Sequence, residues 1–488
     1  MTVIRAVPTG LRDQVRSAVI WRSGTQIFGQ VVAWASTFLV IRILSPADYG
    51  LYAMSAVVLS LLTLMNGYGL ANALIQQREV TPRMMRQLFG MLIVLNGALA
   101  LIQFSAAPLI ADYYGQPMVA TMLRWQALIF LTNPFLALGY AILSRGMDFR
   151  RQAQVNVVSA LVGAAASLGG ALGGLGVWTL VVAPIAMFGS RALGMAFMAR
   201  ALIWPSFDFR GAWGIAGFGG MVALSQLFYF VQTQSDVIIA GRALDPHTLG
   251  LYTTALFLAQ IFVSKVVPPL NEVAFSAYSR VQDNPAAMAG GFLKSVRVIL
   301  LLAIPFCLGL ATTAQPLVGV VMGEKWTDAA PLLALLALAM PFMTLHVLFA
   351  PATNAVGRPG IATRTAALGA LVMGLAFFAG IRWGAPGIAA AWLAGYPALT
   401  AITAAWSLPA IGVRGRDLAR AALPPVLAGI AMAVAVTLAD RLTGEFPALP
   451  RLALLVGSGS VVYLGWLTTF ARPRLLEMLA MLRRSDAA

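Results

Sequence analysis

The chain has few charged residues, one cysteine and two histidines, and each shortage excludes a class of function. Charged residues make up 10% of the 488 positions, whereas a soluble globular domain carries about 25%. Cys307 cannot form an internal disulfide, and the two histidines, His247 and His346, are expected to be structural. The sequence contains no paired carboxylates, nucleophile triad or phosphate-binding loop. We therefore predict that the protein is not an enzyme, and we predict no catalytic residue, no metal site and no bound cofactor.

Apolar residues dominate instead. They make up 60% of the chain, and the mean hydropathy is +0.83. The formal net charge of +16 is strongly basic, but proteins that bind nucleic acid gather such charge on one face or tail. Here the longest basic run has two residues. We therefore expect membrane lipids, and no nucleic acid, around this chain.

A helix that crosses a bilayer needs about 20 mostly apolar residues. The chain contains fourteen such runs, which predicts an all-α polytopic membrane protein with about fourteen transmembrane helices. The runs cover residues 24–44, 51–70, 89–110, 118–143, 153–172, 177–199, 215–241, 249–270, 298–320, 329–350, 365–381, 387–411, 422–439 and 452–470. The first run is too long for a cleaved signal and is expected to remain as a helix. Residues 272–297 are expected to form the longest loop.

Lysine and arginine concentrate in the cytoplasmic loops of membrane proteins. With the N-terminus placed inside, the inside segments hold 24 of these residues and the outside loops hold six. A missed helix would reverse the sides downstream of it and spoil this split. The charges therefore predict that both termini are cytoplasmic.

One motif occurs twice, two hundred residues apart. Residues 42–52 read RILSPADYGLY and residues 242–252 read RALDPHTLGLY, so six of eleven positions are identical. Proline and glycine suit a tight turn between helices, and the tyrosine that follows suits a membrane interface. A second echo at nearly the same offset sets Pro108, Gly115 and Pro134 against Pro316, Gly323 and Pro341. Internal repeats of this kind are typical of transporters.

The repeat defines the predicted domains. Six helices are an even number, so the two copies share one orientation and are related by a pseudo-twofold axis along the membrane normal. We predict an N-terminal lobe over residues 1–210 and a C-terminal lobe over residues 211–411. A final helix pair and a cytoplasmic tail occupy residues 412–488.

Three cations fall inside the apolar runs, where a charge is costly and usually faces a polar cavity or a partner. Arg191 lies more than two turns from the end of its helix, so we interpret it as lining a cavity. Lys265 is about one turn from a helix end, where its side chain can instead reach the interface. Arg124 is under two turns from an end, and both interpretations stand for it. The excess of cations suits an anionic substrate such as a lipid-linked diphosphate.

Polar residues also form a stripe on the first helix of each repeat. The stripes consist of Arg22, Gln26, Gln30 and Thr37 in the first repeat, and of Gln226, Tyr229, Thr233 and Asp236 in the second. We predict that these stripes line a shared cavity and bind substrate together with the three cations; hydrogen bonding between helices of one lobe is the alternative. Asp236 is the candidate for ion coupling by a proton or sodium ion, although pairing with a nearby cation, Arg242 included, is the favoured interpretation.

These residues resemble a known family. Residues 42–52, the segment ALIQ at residues 73–76, DVIIAGR at 236–242 and GEKW at 323–326 look like those of bacterial polysaccharide transporters. These are oligosaccharide-lipid flippases of the multidrug/oligosaccharidyl-lipid/polysaccharide superfamily, and the resemblance covers almost the whole chain. It implies two six-helix lobes plus a final pair in the bacterial inner membrane, and alternation between inward-open and outward-open states around a cationic cavity.

The resemblance further implies a function. The expected substrate is an undecaprenyl-diphosphate-linked oligosaccharide repeat unit, carried across the inner membrane for O-antigen, capsule or exopolysaccharide synthesis. A proton or sodium gradient is the expected energy source, and a polysaccharide polymerase and export machinery are the expected protein partners.

Three alternatives remain open from the sequence. A drug/cation antiporter of the same architecture is expected to carry several buried acids, whereas this chain has three cations and one acid in its spans. A membrane glycosyltransferase or polymerase needs a larger outer loop or acidic catalytic residues. A peptidoglycan lipid-precursor flippase is the nearest alternative, and these motifs separate it poorly.

Overall fold

The computed structural model describes residues 28–66, 80–201, 203–209 and 219–470. All regular elements of these residues are helices, as the sequence predicts. Arg22, Gln26 and the start of the first predicted span lie outside the described residues.

The chain forms two compact units that divide between Leu224 and Ser225. In the N-terminal unit, the described helices are α1 (Phe28–Ile43), α2 (Pro46–Thr63), α3 (Pro82–Tyr114), α4 (Pro117–Gln126), α5 (Leu128–Arg145), α6 (Phe149–Leu172) and α7 (Trp178–Met198). Helix α7 packs along both α5 and α6. A Cβ atom at Gly139 of α5 would lie 2.7 Å from the backbone of Met195 in α7, so glycine allows these two helices to touch.

The C-terminal unit contains most of the remaining helices, and α8 starts just before the division. These helices are α8 (Gly219–Ala243), α9 (Pro246–Ala259), α10 (Ile261–Lys265), α11 (Val267–Arg280), α12 (Pro285–Thr312), α13 (Ala314–Val321), α14 (Ala329–Val347), α15 (Phe349–Ala355), α16 (Pro359–Gly380), α17 (Gly384–Ile411), α18 (Gly415–Leu442) and α19 (Ala448–Phe470). Short 3₁₀ helices cover Glu324–Trp326 and Ile381–Trp383. A large apolar core of this unit includes Phe292 and Phe349, whose ring centroids are 5.4 Å apart.

Nine helical stretches in the described residues are long and apolar enough to cross a membrane. Two features account for part of the difference from fourteen. Helix α1 is a shorter apolar helix in its described range, and the path from α9 to α11 is broken at Gln260 and Val266 into three helices. Apolar composition alone does not reveal these breaks.

The repeated motif forms equivalent helix starts. Ser45 caps α2 and forms a reciprocal capping box with Asp48, while the carboxylate of Asp245 caps α9. A proline occupies the first turn in both helices, where its missing N–H costs nothing. The expectation that the glycines form the turn is wrong, because Gly50 and Gly250 are buried one turn inside the helices. The turn chemistry comes from the capping residue and the proline.

The predicted long loop over residues 272–297 is also wrong. Most of that range belongs to α11 and α12, and residues 281–284 connect the two helices. Asn284 caps α12 by accepting a hydrogen bond from the N–H of Ala287 at 3.1 Å. Apart from Asp283 in that connection, the charges that interrupt the apolar pattern here lie on helices.

Candidate functional site

Arg191 lies in α7 on the face that packs against α6. Met187 and Gly194, one turn to either side of it, contact Gly163 and Val155 of α6. Residues 187, 191 and 194 follow the i, i+4, i+7 spacing of a single helix face. The Nε atom of Arg191 is buried and has no hydrogen-bond partner among the described residues. A half-buried cation of this kind is open to an anionic ligand.

A second unpartnered polar atom lies on the facing helix. On α6, Ser159 lies one turn from both Val155 and Gly163, the two residues that contact α7 on either side of Arg191. Ser159 therefore lies at the same height along the helix pair as Arg191. Ser159 is buried and its hydroxyl donates to the Asn156 carbonyl at 3.0 Å. The side-chain oxygen of Asn156 is buried without a partner. The described part of the N-terminal unit therefore has unused hydrogen-bonding capacity at both Arg191 and Asn156.

The other two predicted cations do not join Arg191. Arg124 in α4 is exposed, and its guanidinium carbon lies 5.3 Å from the centroid of the Phe104 ring, which is cation–π geometry. Lys265 is exposed at the end of α10, and the helical path continues beyond it to Arg280. Both cations are accessible, and neither forms an ion pair within the described residues.

The polar stripes are less uniform than the sequence suggests. Gln30 is half-buried in α1. In α8, Gln226 is exposed and Tyr229 is 42% exposed, whereas the Thr233 hydroxyl donates to the backbone carbonyl of Tyr229 at 2.9 Å. The stripe therefore passes from an accessible surface at Gln226 to a buried end, where Asp236 lies.

Asp236 belongs to a buried hydrogen-bonded chain. Its Oδ2 atom accepts a hydrogen bond from the Tyr252 hydroxyl at 2.6 Å, and the Trp392 indole N–H donates to the same hydroxyl at 2.7 Å. All three side chains are fully buried, and the second carboxylate oxygen of Asp236 has no hydrogen-bond partner among the residues that the structure describes. The favoured prediction of a cation pair is wrong, because no described cation pairs with Asp236. A phenol stabilises this carboxyl group instead.

The series of side-chain contacts that starts at Asp236 extends from Trp392 toward a polar pocket. Trp392 stacks on Tyr396 with ring centroids 5.2 Å apart, and the Gln232 amide donates to the Tyr396 hydroxyl at 3.5 Å. Gln232 and Tyr229 line a pocket of about 110 Å³. Most of its polar wall consists of His346, Thr353, Thr365, Thr403 and Ser407. Gln232 therefore belongs both to the wall of this pocket and to the series of contacts that starts at Asp236.

His346 has the structural role that the sequence predicts. Its Nδ1 atom lies 3.1 Å from the Thr403 hydroxyl, and its ring contacts Tyr396 edge-on at 6.1 Å between centroids. The Gln232 amide oxygen and the Ser407 hydroxyl are buried without partners in the described residues. Buried polar groups are normally hydrogen-bonded, so this pocket is suited to water or another small polar group.

Sequence reasoning missed Tyr252, Trp392 and Gln232. Tyr252 belongs to the repeated motif, but the prediction of an interfacial aromatic is wrong because this residue is 0% exposed. Gln232 lies one helical turn before Asp236, a spacing that could have indicated it. Trp392 is 140 residues from Tyr252 in sequence, and the sequence carries no signal for that contact.

An apolar groove lies among α12, α18 and α19. Its volume is about 530 Å³, and its wall includes Pro305, Phe306, Met432, Gly459 and Ser460. The Tyr463 hydroxyl, which lines it as well, is satisfied by the Leu301 carbonyl at 2.9 Å. Such a wall suits a hydrocarbon chain. Within the described part of the chain, no group of three His, Cys, Asp or Glu residues is placed to hold a metal ion.

Tyr252→Phe is expected to destabilise the C-terminal unit. The substitution leaves both Asp236 and the Trp392 indole without their shared partner, which costs about 1–3 kcal/mol for each buried group. The thermal unfolding midpoint of the purified protein should therefore fall. Tyr140→Phe is the matched control, because the Tyr140 hydroxyl has no hydrogen bond among the described residues. Equal midpoints for the two variants would contradict the buried chain.

Comparison with known proteins places these features in a family. A family model described as "Polysaccharide biosynthesis protein" matches residues 39–331. The chain is 26% identical to the succinoglycan biosynthesis transport protein ExoT of Rhizobium meliloti (strain 1021), over 70% of this chain and 69% of that protein. It is 22% identical to the lipopolysaccharide biosynthesis protein WzxC of Escherichia coli (strain K12), over 67% of each chain.

A solved structure shares the fold. The lipid II flippase MurJ superposes with a TM-score of 0.75 at 14% identity, over 93% of this chain and all of that one. At this identity the likeness concerns the fold alone. Together with the nine apolar helices, it confirms a multi-pass membrane protein. The family match confirms the resemblance read from the motifs: this chain belongs to the polysaccharide biosynthesis protein family.

Proposed function

We propose that this protein is a flippase that carries undecaprenyl-diphosphate-linked oligosaccharides across the bacterial inner membrane by alternating access. The observation that carries the proposal is the family match over residues 39–331. ExoT and WzxC are named for the transport or biosynthesis of surface polysaccharides. Arg191, buried at Nε without a partner, supplies the positive charge that a diphosphate needs. The protein partners we propose are a polysaccharide polymerase and export machinery.

We propose fourteen membrane-spanning helices in two six-helix lobes and a final pair. The lobes cover residues 1–210 and 211–411, and the pair and tail cover residues 412–488. Each of the fourteen apolar runs overlaps a described helix or a series of consecutive helices. The equivalent caps of α2 and α9 support the duplication. The unequal distribution of lysine and arginine between the inside segments and the outside loops supports a cytoplasmic location for both termini.

The proposed diphosphate ligands are centred on Arg191. Its guanidinium is the strongest candidate, because an arginine without an anionic partner within the bundle is costly unless a ligand compensates its charge. Arg124 and Lys265 are proposed to contact the anion at accessible positions. Gln30, Gln226, Tyr229 and Thr233, with Arg22 and Gln26 outside the described residues, complete the proposed substrate-binding set.

The polyprenyl chain has a separate proposed location. A long hydrocarbon chain gains from an apolar wall, and the groove among α12, α18 and α19 supplies one of about 530 Å³. Gly309 and Gly459 line this groove without a side chain to fill it. We propose that the chain lies along this groove while the diphosphate is held elsewhere.

Asp236 is the proposed ion-coupling residue. A carboxyl group that is fully buried beside a neutral phenol can change its charge by binding a proton or a sodium ion. The free Oδ1 atom offers a site for either ion. The polar pocket that Gln232 lines is connected to Asp236 through Tyr396 and Trp392.

Arg191→Ala is expected to slow translocation by about tenfold or more, because losing a hydrogen bond to a charged group costs about 1.5–3 kcal/mol. The assay uses proteoliposomes containing a fluorescent undecaprenyl-diphosphate oligosaccharide and an impermeant quencher outside. Arg416→Ala, which removes an exposed arginine, should leave the rate unchanged. Lipid translocation that Arg191→Ala does not alter would retain the flippase and reject this residue.

The same proteoliposomes test the alternatives. A cationic dye replaces the lipid for the drug antiporter, and lipid II replaces it for the peptidoglycan-precursor flippase. The flippase proposal predicts movement of the oligosaccharide lipid and none of the dye. Ion-driven transport of the dye without lipid movement would establish the antiporter instead. Faster movement of lipid II than of the oligosaccharide lipid would establish the peptidoglycan route.

Asp236→Asn is expected to abolish the dependence of translocation on an ion gradient. Wild-type vesicles should respond to a proton or a sodium gradient, tested separately, while the neutral amide cannot bind either ion in the same way. Asp417→Asn, at an exposed carboxylate beside Arg420, serves as the control. A gradient response that persists in Asp236→Asn would assign coupling to another residue.

Ser460→Trp is expected to impair transport of long-chain substrates. Ser460 lines the groove, so an indole there fills space that the polyprenyl chain needs. Val461→Trp adds the same ring on the next residue, which is 71% exposed and outside the groove wall. The rates for an undecaprenyl and a much shorter prenyl analogue should differ only in Ser460→Trp. Equal slowing of both analogues would contradict the groove assignment.

A further inference from the structure

A second basic feature lies at the other end of the α16–α17 pair from their 3₁₀ connection. A pocket of about 520 Å³ opens there, where α16 begins and α17 approaches its end. Its wall consists of Arg358, Gly360, Ile361, Arg364, Ala405 and Trp406. We call it the double-arginine pocket. All six residues belong to the C-terminal unit, and none of them was predicted as a site residue.

The two arginines carry uncompensated charge. Arg358 and Arg364 are exposed, and neither guanidinium group forms an ion pair or hydrogen bond with another described residue. No acidic side chain lines the pocket. Elsewhere in this unit an exposed arginine does pair with an acid, as Arg420 does with Asp417 at 3.8 Å. The pocket is therefore electropositive, and guanidinium groups bind phosphate oxygens in pairs.

The backbone of the pocket also favours an anion. Helix α16 has Pro359 in its first turn, and no side chain caps this end. Pro359 has no N–H and the Ile361 N–H donates to the Arg358 carbonyl at 3.2 Å, so the Gly360 N–H is the first-turn donor left for an anion placed there. A Cβ atom added at Gly360 would meet nothing within 4 Å, so the space in front of this backbone is open. Two guanidinium groups and a helix start thus converge on one cavity.

The rest of the wall indicates that the anion is attached to a lipid. Trp406 is 44% exposed, and Ile361 and Ala405 add apolar surface beside the arginines. A tryptophan with one polar edge is typical of the membrane interface, where headgroups lie. The loop that contains Arg358 is among those that the charge distribution predicts to be cytoplasmic. Basic pockets between helices on that side bind anionic headgroups.

We propose that the double-arginine pocket binds the phosphate group of a membrane lipid on the cytoplasmic side. Two lipids present this chemistry: an anionic phospholipid, and the polyprenyl diphosphate of the substrate. The first is independent of the proposed function. The second rests on it, and makes the pocket a docking site that the substrate occupies before translocation. The phosphate contacts are the same in both cases.

The experiment measures lipid binding to the full-length detergent-purified protein by native mass spectrometry. The probes are phosphatidylglycerol, undecaprenyl diphosphate, inorganic phosphate and, as a zwitterionic reference, phosphatidylcholine. The double variant Arg358→Gln/Arg364→Gln should bind the two anionic lipids about tenfold or more weakly, since each arginine near the surface attracts anionic lipid by about 1 kcal/mol. Arg358→Lys/Arg364→Lys, which keeps the charge, should retain most of the binding.

Arg414→Gln/Arg416→Gln is the matched control, because it removes the same charge from a neighbouring exposed segment that does not line the pocket. Equal losses in the two glutamine variants, or no preference for anionic lipid in the wild type, would overturn the proposal. Competition between phosphatidylglycerol and undecaprenyl diphosphate identifies the lipid. Binding of inorganic phosphate that displaces both lipids supports the phosphate contact. Because no translocation is measured, failure here is distinguishable from failure of the flippase function.

Discussion

Lipid cannot satisfy a hydrogen-bonding group, and this constraint determines how polar residues are arranged in this protein. Every polar atom that enters the bundle needs a partner from the chain, from water or from a ligand. The Oδ2 atom of Asp236 meets this requirement through the Tyr252 hydroxyl, which itself accepts a hydrogen bond from Trp392. Asn96 and Asn133 meet it in the N-terminal unit, where both donate to the Asn66 carbonyl at about 3 Å. Buried polar atoms left without partners therefore mark candidate sites for ligands.

The two units satisfy this constraint differently. In the N-terminal unit the notable polar group is a cation, Arg191, with a buried atom that lacks a partner. In the C-terminal unit it is an acid, Asp236, which accepts a hydrogen bond from the Tyr252 phenol. Tyr396 and Gln232 extend this group of buried polar side chains. A cation suits a diphosphate, and a buried acid suits a proton or a sodium ion. The centre of diphosphate binding at Arg191 and the ion site at Asp236 are thus proposed to lie in different halves of one duplicated fold.

Much of the fold follows from local sequence. Long apolar runs predict the helices, and a capping residue followed by proline predicts where α2 and α9 begin. The break at Gln260 was not predicted, because no glycine or proline marks it, whereas Pro268 in the first turn of α11 marks the break at Val266. The site is harder to predict than the fold. Arg191 stands out as a charge in an apolar run, but the contact between Trp392 and Tyr252 joins residues 140 positions apart and leaves no local pattern.

The repeated motif also has a consequence for how the halves diverged. At the offset of two hundred residues, Tyr252 corresponds to Tyr52, and Asp236 corresponds to Ser36, which is buried. The tyrosine is therefore common to both copies, whereas its acidic partner is present in only one of them. Tyr52 is half-buried rather than fully buried, so a neutral phenol without an acidic partner costs little there. In the proposed coupling, the single carboxyl group of Asp236 confines ion binding to one half of the duplicated chain.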